Sequence, residues 1–281
     1  MSIMSGMDGP RPQKLKYLLD RVPPGFLVDS RWLAKSDIAK SSAHDYRRAN
    51  WLEHVAHGLY RRPYAKPEPH DEHGWKIPVL SAQWIMGYDF HVGATTALDL
   101  SGHRHYLSLG TEPPVYLFGD VPAWLPRLPL NAKVLMRRRQ LFGGQSTGID
   151  NLELDPFAED GSSPWRWPLK ASSPERAILE ALNEVPGQES FEAIDKLFES
   201  LVSLRPKRLD RLLRECRSIK VKRLFLLFAD RHAHAWLRHL DKAAINLGSG
   251  PRMLVKGGKL HPLYQVVVPF AFARSVQPDG A

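Results

Sequence analysis

The segment from Asp29 to Arg62 constrains the fold of this chain most, because helical and extended patterns alternate in it at short spacing. Residues 30–35 and 39–49 have the apolar spacing of two short helices, and residues 36–38 interrupt that spacing. Two extended runs then flank a turn at His57-Gly58. Helix, tight turn, helix and hairpin in this order predict a winged helix-turn-helix.

The second of these helices is predicted to carry the functional surface. Helical spacing places Ala39, Ala43 and Tyr46 on one face, where they can pack inward. The opposite face offers cations for phosphates and hydrogen-bonding groups for base edges, as a recognition helix requires. The members of that face are Lys40, Ser41, His44, Arg47 and Arg48. At the end of the hairpin, Arg61 and Arg62 are expected to contact the phosphate backbone.

The positive charge of the chain is concentrated near its N-terminus. The 281 residues carry a net charge of +9, and residues 1–66 contain 12 Lys and Arg against 6 Asp and Glu. Two thirds of the excess therefore lies in less than a quarter of the chain, which indicates a polyanionic partner for this part. A protein-interaction module with a solvated basic face is the alternative, but the charge on the predicted recognition helix favours DNA.

Composition excludes several classes of protein. The single cysteine, Cys216, rules out a disulfide framework and a multi-cysteine zinc site, and its apolar neighbours indicate a buried, inert thiol. No apolar run is long enough to span a membrane, and the N-terminus lacks the hydrophobic region of a signal peptide. We therefore expect a cytoplasmic protein that associates with no membrane and needs no cofactor.

A proline-rich, polar segment at 63–74 predicts a domain boundary. A helix at 12–21 would complete the core beneath the recognition helix. We therefore predict a winged helix-turn-helix domain at 11–66 and a second domain at 75–281. The cluster His70-Asp71-Glu72-His73 could bind a metal, but a linker lacks the rigid scaffold that such a site needs, so we expect none there.

The second domain is predicted to mix helices and strands, which makes the fold class of the whole chain α+β. Helical patterns are found at 79–88, 94–101, in a helix that starts at 172–175 with a buried face to Leu182, and at 191–201, 206–216 and 221–232, with a short addition at 235–240. Strand patterns are found at 115–118, 133–139, 252–255 and 264–268. Ser172 and Ser173 are candidate N-caps of the third helix. Because Gly257-Gly258 separates the last two strands, the chain is predicted to close on a hairpin.

A second basic surface is predicted on the helix at 206–216 and just beyond it. Lys207, Arg211 and Arg214 recur at helical spacing on the face away from the leucines. Arg208, Arg217 and Lys220 widen this surface. A solvated helix face and a binding surface for flanking DNA, an RNA or an acidic protein explain it equally well.

Catalysis is poorly supported by the sequence, and we expect no catalytic residues and no enzyme. The C-terminal histidines lack a defensible order of nucleophile, base and acid, and His232 and His234 lack the helical spacing of metal ligands. The glycine-rich stretch at 143–148 lacks the Gly-Lys-Ser/Thr ending of a phosphate-binding loop and is expected to be a mobile loop. Tyr46, Trp51 and Trp236 are predicted to lie in the core rather than to stack on bases.

Long segments of the chain resemble the AbiEi family of antitoxins from abortive-infection (type IV) toxin–antitoxin systems, nearly from end to end. In the N-terminal part the resemblance rests on the wing, ANWLEHVAHGLYRRP at 49–63. In the C-terminal part it rests on HVGATTALDLSGHRHYL at 91–107, SPERAILEALNEVP at 173–186, the whole of 189–236, and INLGSGPRMLVKGGKLHPLYQVVVP at 245–269. Each segment alone is weak, but together they are fairly specific.

The resemblance implies a function that composition does not. Such proteins repress their own operon by binding inverted repeats in its promoter, and they counteract a co-encoded nucleotidyltransferase-like toxin, for which the C-terminal domain is needed. Promoter DNA and the cognate toxin are thus the expected partners, with direct toxin contact left open, and the protein is expected to bind DNA cooperatively as a monomer. A regulator with a ligand-sensing C-terminal domain and an enzyme that modifies the toxin are the alternatives.

The sequence departs from the family pattern at two positions beside the recognition helix. Ala39 occupies a cap position that is often serine, so Ser36 or Asp37 could cap instead, and the start of the helix is open between the two possibilities. Asn50 replaces a glycine that is common before the wing tryptophan. Because asparagine tolerates a positive φ, we expect the turn to survive.

Overall fold

The computed structural model describes residues 10–64, 74–103, 114–154 and 167–273. Backbone contacts divide them into two compact units. The N-terminal unit contains the described residues up to Phe90, with those within 120–135 and 152–169. The C-terminal unit contains those within 91–119, 136–151 and 170–273. The predicted domain limits, 11–66 and 75–281, stay a prediction, since residues 65–73 lie outside the described ranges.

The beginning of the N-terminal unit is a winged helix-turn-helix, as the sequence predicts. Its elements are α1 (Pro10–Arg21), β1 (Leu27–Asp29), α2 (Ser30–Lys35), α3 (Lys40–Arg48), β2 (Glu53–Ala56) and β3 (Leu59–Arg61). The three strands form an antiparallel sheet in the order β1-β3-β2. Asp29 caps α2 by accepting a hydrogen bond of 2.7 Å from the backbone N–H of Trp32, which fixes where this helix begins.

The core of the winged helix is formed by residues from every one of its helices. Leu18, Leu33, Ala43 and Tyr46 are all buried, and so are Phe26, just before β1, Val28 of β1 and Leu59 of β3. The expectation that Ala39 packs inward is wrong, because Ala39 is exposed. It precedes the first turn of α3 with extended backbone angles, φ −67° and ψ 154°, so helical spacing does not apply to it, and Ser42 takes the inward position instead.

The segment after the predicted boundary packs on the wing sheet of the same unit. It consists of α4 (Lys76–Leu80), which continues into a π-helical turn (Ser81–Ile85). The Ser81 hydroxyl accepts a hydrogen bond of 3.0 Å from the Leu27 N–H and donates one of 2.7 Å to the Ile77 carbonyl. The Tyr88 hydroxyl donates to Asp29 Oδ2 over 2.6 Å. The carboxylate that caps α2 is therefore also held by this segment.

A five-stranded sheet follows, with strands in the order β6-β5-β4-β8-β7. The strands are β4 (Phe90–Val92), β5 (Val115–Gly119), β6 (Val134–Arg137), β7 (Ile149–Leu154) and β8 (Trp167–Ser172), and α5 (Ala94–Leu100) follows β4. Strands β4 and β8 are parallel. The predicted strands at 115–118 and 133–139 are confirmed as β5 and β6, whereas β4, β7 and β8 were not predicted.

Four helices form the core of the C-terminal unit, and each was predicted. They are α6 (Pro174–Glu184), α7 (Phe191–Ser200), α8 (Pro206–Glu215) and α9 (Ile219–His232). Ser173 is the N-cap residue of α6, with Pro174 at its first position. Phe198 lies between Phe225 and Phe228 at centroid distances of 5.6 and 5.2 Å. The expected fifth helix is a 3-10 helix at Ala235–His239.

The prediction of a closing hairpin is wrong in its strand pairing. The strands are β9 (Arg252–Met253), β10 (Lys259–Leu260) and β11 (Val266–Val268), and β11 lies between the other two. It is antiparallel to β10 and parallel to β9. The hairpin is therefore β10–β11, closed by the hydrogen bond from the His261 N–H to the Val266 carbonyl. Buried Arg223 fixes β9 beside it by donating to the carbonyls of Gly250 and Gln265.

Candidate nucleic-acid interface

The outward face of α3 is composed as predicted: its five proposed contact residues are exposed. They are Lys40, Ser41, His44, Arg47 and Arg48. Lys40 is the first residue of the helix, and Ala39 is its N-cap residue without a side-chain hydrogen bond. Neither alternative cap is used, because Ser36 ends α2 and Asp37 forms an ion pair of 2.6 Å with Lys14. This fixes the register of the face.

Two short-range features hold α3 against the wing. The Tyr46 carbonyl accepts hydrogen bonds from the N–H groups of Trp51 (2.8 Å) and Leu52 (3.3 Å). Asn50, just before Trp51, has a φ of 57°. It therefore adopts the positive φ that asparagine was expected to tolerate here. The helix therefore passes into the wing through one tight, hydrogen-bonded turn, which keeps the two elements in a fixed relation.

The cations of α3 have no acidic partner among the residues that the structure describes. Within the described part of the chain, no carboxylate forms an ion pair with Lys40, Arg47 or Arg48. An exposed positive charge without an internal partner remains available to a phosphate group. The surface thus combines three unpaired cations with Ser41 and His44, two side chains able to hydrogen-bond with base edges.

The two wing arginines differ from the α3 cations because both make internal contacts. Arg61 Nε donates to Glu53 Oε2 over 3.0 Å, and its guanidinium lies 4.8 Å from the ring centroid of Tyr64. Arg62 donates to the carbonyls of Leu19 (2.7 Å) and Val22 (2.6 Å). Burial lowers the pKa of the Arg62 guanidinium. Their contact with phosphates stays a prediction, and Arg62 in addition anchors the C-terminal end of α1.

Sequence reasoning missed the exposure of Trp51. It was predicted to lie in the core, which is wrong, since 44% of its surface is exposed. It directly follows Asn50, whose positive φ turns the chain away from α3 before Leu52 enters the core. The other two aromatics predicted for the core, Tyr46 and Trp236, are buried.

The predicted second basic surface is largely compensated by acids, of which Asp210 and Glu215 belong to α8 itself. Arg208 pairs with Asp150, and Arg211 pairs with Glu215 over 2.7 Å. The guanidinium of Arg214 pairs with Asp210 (2.8 Å) and lies 3.5 Å from Asp241. Such exposed pairs contribute little to stability, but they reduce the positive potential of the surface.

The remaining members of that surface differ in their surroundings. Half-buried Lys220 donates to the backbone carbonyls of Asn183 (2.6 Å) and Val185 (2.8 Å). Exposed Arg217 packs against Gly143 so closely that a Cβ there would lie 2.4 Å from its guanidinium. Lys207 is exposed. A binding role for this surface stays a prediction, and it is a weaker candidate than α3.

A buried polar cluster lies in the core of the C-terminal unit around Glu180. Its carboxylate accepts hydrogen bonds from His91 Nε2 (3.0 Å), the Ala94 N–H (3.1 Å), the Ser172 hydroxyl (2.7 Å) and Arg176 Nε (2.8 Å). Burial alone would raise the pKa of Glu180, but the charges and hydrogen bonds of His91 and Arg176 bring it to about 2. Burial lowers the pKa of His91 more than the neighbouring Glu180 carboxylate raises it, and Arg176 is the permanently charged partner of Glu180.

The cluster also fixes the neighbouring glycine-rich stretch through Arg176. Arg176 also donates to the carbonyls of Gln145 and Thr147, each over 2.8 Å. The glycine-rich stretch, expected to be a mobile loop, is thereby attached to α6, and it leads into β7 rather than into a helix. Among the described residues no group of three metal-ligating side chains is found, while the cluster at 70–73 lies outside them. That the protein is not an enzyme stays a prediction.

Two family models together match nearly the whole sequence. Residues 112–269 match a model described as a transcriptional regulator, AbiEi antitoxin of a type IV toxin–antitoxin system. Residues 11–109 match the model of the N-terminal domain of AbiEi antitoxin transcriptional regulators. A search of curated proteins gives no match.

The fold is similar to that of a solved structure, the RV2827C protein from Mycobacterium tuberculosis. The two share 16% sequence identity with a TM-score of 0.54, and the match covers 92% of this chain and 91% of the other. At this identity the likeness concerns the fold alone. Within the described residues, no helix has the length and apolarity needed to cross a bilayer.

Proposed function

Because the chain belongs to the AbiEi family of transcriptional regulators, the antitoxins of type IV toxin–antitoxin systems, we propose that it represses its own operon by binding the promoter through α3 and the wing. In this proposal the DNA carries inverted repeats, and monomers bind the repeats cooperatively. The C-terminal unit counteracts a co-encoded nucleotidyltransferase-like toxin. The two family models show the regulator family. The contacts of α3 and the wing with DNA, and the action on the toxin, are what we propose.

The observation that carries the proposal is the uncompensated basic face of α3. In helix-turn-helix proteins the N-terminal residues of the second helix reach base edges in the major groove, while cations near it contact phosphates. We therefore assign Lys40, Ser41 and His44, in the first turns of α3, to base edges. Arg47 and Arg48, in its last turn, are assigned to phosphates.

The wing is assigned a supporting role in this complex. To reach a phosphate, Arg61 would give up its half-buried ion pair with Glu53 and its place over the Tyr64 ring, both of which are contacts between side chains. Arg62 would have to leave two backbone carbonyls unsatisfied at the end of α1. Arg61 is therefore the better candidate for a phosphate contact, and Arg62 acts mainly by holding α1 in place.

The experiment that tests the repressor role replaces the two unpaired arginines of α3. We expect Arg47→Ala with Arg48→Ala to abolish binding to the promoter upstream of the gene in gel-shift assays, with an unchanged circular dichroism spectrum. At low salt, where the residual affinity of the variant can be measured, the slope of log affinity against log salt should be smaller by about 2, because about one counterion is released per phosphate contact.

A matched variant controls for the loss of two positive charges. Arg211→Ala with Arg214→Ala removes two exposed arginines that already have carboxylate partners. It lowers the net charge of the protein by the same two units but leaves α3 intact, so it should leave the affinity for promoter DNA within about threefold of the wild-type value. An unchanged gel shift for the α3 variant, or an equal loss in both variants, would refute the assignment to α3.

A further inference from the structure

The turn after α3 holds Trp51 in a fixed place at the end of that helix. The Trp51 N–H donates a hydrogen bond of 2.8 Å to the Tyr46 carbonyl. The Asn50 N–H donates one of 3.1 Å to the Arg47 carbonyl. Together with the positive φ of Asn50, these two bonds form a Schellman motif. The position of Trp51 relative to α3 is therefore set by the backbone.

The Trp51 side chain has no partner within the described part of the chain. Its ring makes no stacking or cation–π contact there, and its Nε1–H donates no hydrogen bond. Two other aromatic residues of the N-terminal unit are similarly exposed, but both have internal contacts. Tyr17 stacks on Trp32 at a centroid distance of 6.3 Å, and Trp84 also makes an internal contact. The internal contacts of the fold therefore do not account for the Trp51 ring.

Trp51 comes directly after the last turn of α3, which carries two uncompensated cations. All residues from Arg47 to Trp51 are exposed, and neither Arg47 nor Arg48 has a carboxylate partner within the described ranges. The surface thus places a large apolar ring beside two positive charges. The backbone of DNA presents the complementary pattern, because charged phosphates alternate in it with apolar deoxyribose rings.

We propose that Trp51 is a further DNA-contact residue, whose ring packs on a deoxyribose beside the phosphates that Arg47 and Arg48 bind. The inference rests on the function proposed above and adds an apolar contact to a surface of charges and hydrogen-bonding groups. Since the sugar is the same in every nucleotide, this contact increases affinity without selecting a base sequence.

The test measures the affinity of the full-length protein for two duplexes of equal length by fluorescence anisotropy. One duplex carries a single promoter repeat, and the other has an unrelated sequence. We expect Trp51→Ala to weaken binding to both by a similar factor of about ten, because a tryptophan buried in an interface contributes strongly and a sugar carries no sequence information. The slope of log affinity against log salt should stay unchanged, since no cation is removed.

Trp84→Ala is the matched control, because it removes a ring of the same size and nearly the same exposure, 39% against 44%. Trp84 belongs to the π-helical turn and lies outside α3 and the wing. Its replacement should leave both affinities within about threefold of the wild-type values. Trp51→Phe, which keeps an aromatic ring, should weaken binding less than Trp51→Ala does.

Fluorine NMR of the protein labelled with fluorotryptophan gives a second readout that does not depend on the stability of an alanine variant. The chain contains 8 tryptophans, and the resonances of Trp51 and Trp84 are identified by their absence from the Trp51→Phe and Trp84→Phe proteins. Saturating promoter DNA should shift the Trp51 resonance and leave the Trp84 resonance in place.

The outcomes separate this contact from the repressor role. An unshifted Trp51 resonance, or equal affinities of the Trp51→Ala and Trp84→Ala proteins, would overturn the inference while binding by the wild type still supports repression. If Trp51→Ala weakens binding only to DNA that carries both repeats, Trp51 contacts a second copy of the chain, and the inference is overturned as well. Absence of promoter binding by the wild type would contradict the repressor role and the inference together.

Discussion

Glu180 shows at the residue scale how a buried charge is made tolerable. An ionised carboxylate in a protein interior is costly unless it is paired and fully hydrogen-bonded. Here Arg176 supplies the charge, and three other donors from β4, the start of α5 and the end of β8 complete the set. The cluster therefore links α6 to the sheet through one side chain.

We expect Glu180 to make the protein sensitive to acid. Its pKa is about 2 in the folded protein, below its ordinary value of 4.5. The contribution of ionised Glu180 to the free energy of unfolding is therefore complete above about pH 4.5 and is lost as the pH falls toward 2. Glu180→Gln should lower the free energy of unfolding at pH 7 by about 3–5 kcal/mol, because Arg176 stays buried without its partner. The same substitution should make the free energy of unfolding depend less steeply on pH between 4.5 and 3.

Urea unfolding at pH 7, 4.5 and 3 measures both effects. Glu192→Gln, on the exposed side of α7, is the control and should change the unfolding free energy by no more than about 0.5 kcal/mol. If the Glu180→Gln protein keeps the steep wild-type loss of stability below pH 4.5, another group is responsible for that loss.

Ion pairing between distant residues is what the sequence predicted least well at this scale. Helical spacing correctly identified the cations of α8, but the partner of Arg208 lies 58 residues away and that of Arg205 lies 30 residues away. No local pattern connects Arg208 with Asp150. The outward face of α3 could be predicted because its exposure depends only on helical spacing and on the inward position of Tyr46.

At the scale of elements, α3 begins at a residue that cannot cap it with a side chain. Ala39 already has the extended backbone of an N-cap residue and is exposed. We therefore expect Ala39→Ser to raise the free energy of unfolding by about 0.5–2 kcal/mol, because the hydroxyl can accept a hydrogen bond from the first turn of α3. Chemical denaturation of the full-length protein measures this change.

Ala49→Ser is the matched control at the other end of the same helix. Ala49 is the C-cap residue and is also exposed, and a serine there gains no N-cap hydrogen bond. Its unfolding free energy should stay within about 0.5 kcal/mol of the wild-type value. Equal effects of the two substitutions would mean that the gain comes from the serine itself and not from capping.

Elements could be predicted where one apolar face repeats over several turns, as in α7, α8 and α9. Prediction failed where the structure depends on pairing between strands. The two-residue strands β9 and β10 are too short to show alternation, and β11 pairs with both of them. A sequence shows that Val266 and Val268 share a face, but it does not show which strand lies on either side of them.

At the scale of the whole molecule, the two compact units explain why only part of the domain organisation could be predicted from the sequence. The N-terminal unit includes segments of 120–135 and 152–169, which follow the predicted boundary by many residues. Composition cannot indicate that the chain re-enters an earlier unit, because such contacts depend on the complete fold. The excess of positive charge in residues 1–66 nevertheless correctly indicated that the uncompensated face of α3 lies in the N-terminal unit.

Because α3 and the C-terminal helices belong to different compact units, repression and toxin neutralisation should be separable by mutation. We expect the protein with Arg47→Ala and Arg48→Ala, produced from an independent promoter, to protect cells from the induced toxin as the wild type does, while it fails to repress a reporter behind its own promoter. Equal protein levels in immunoblots are the required control. Loss of protection at equal level would show that neutralisation depends on DNA binding, which would contradict a separate role for the C-terminal unit.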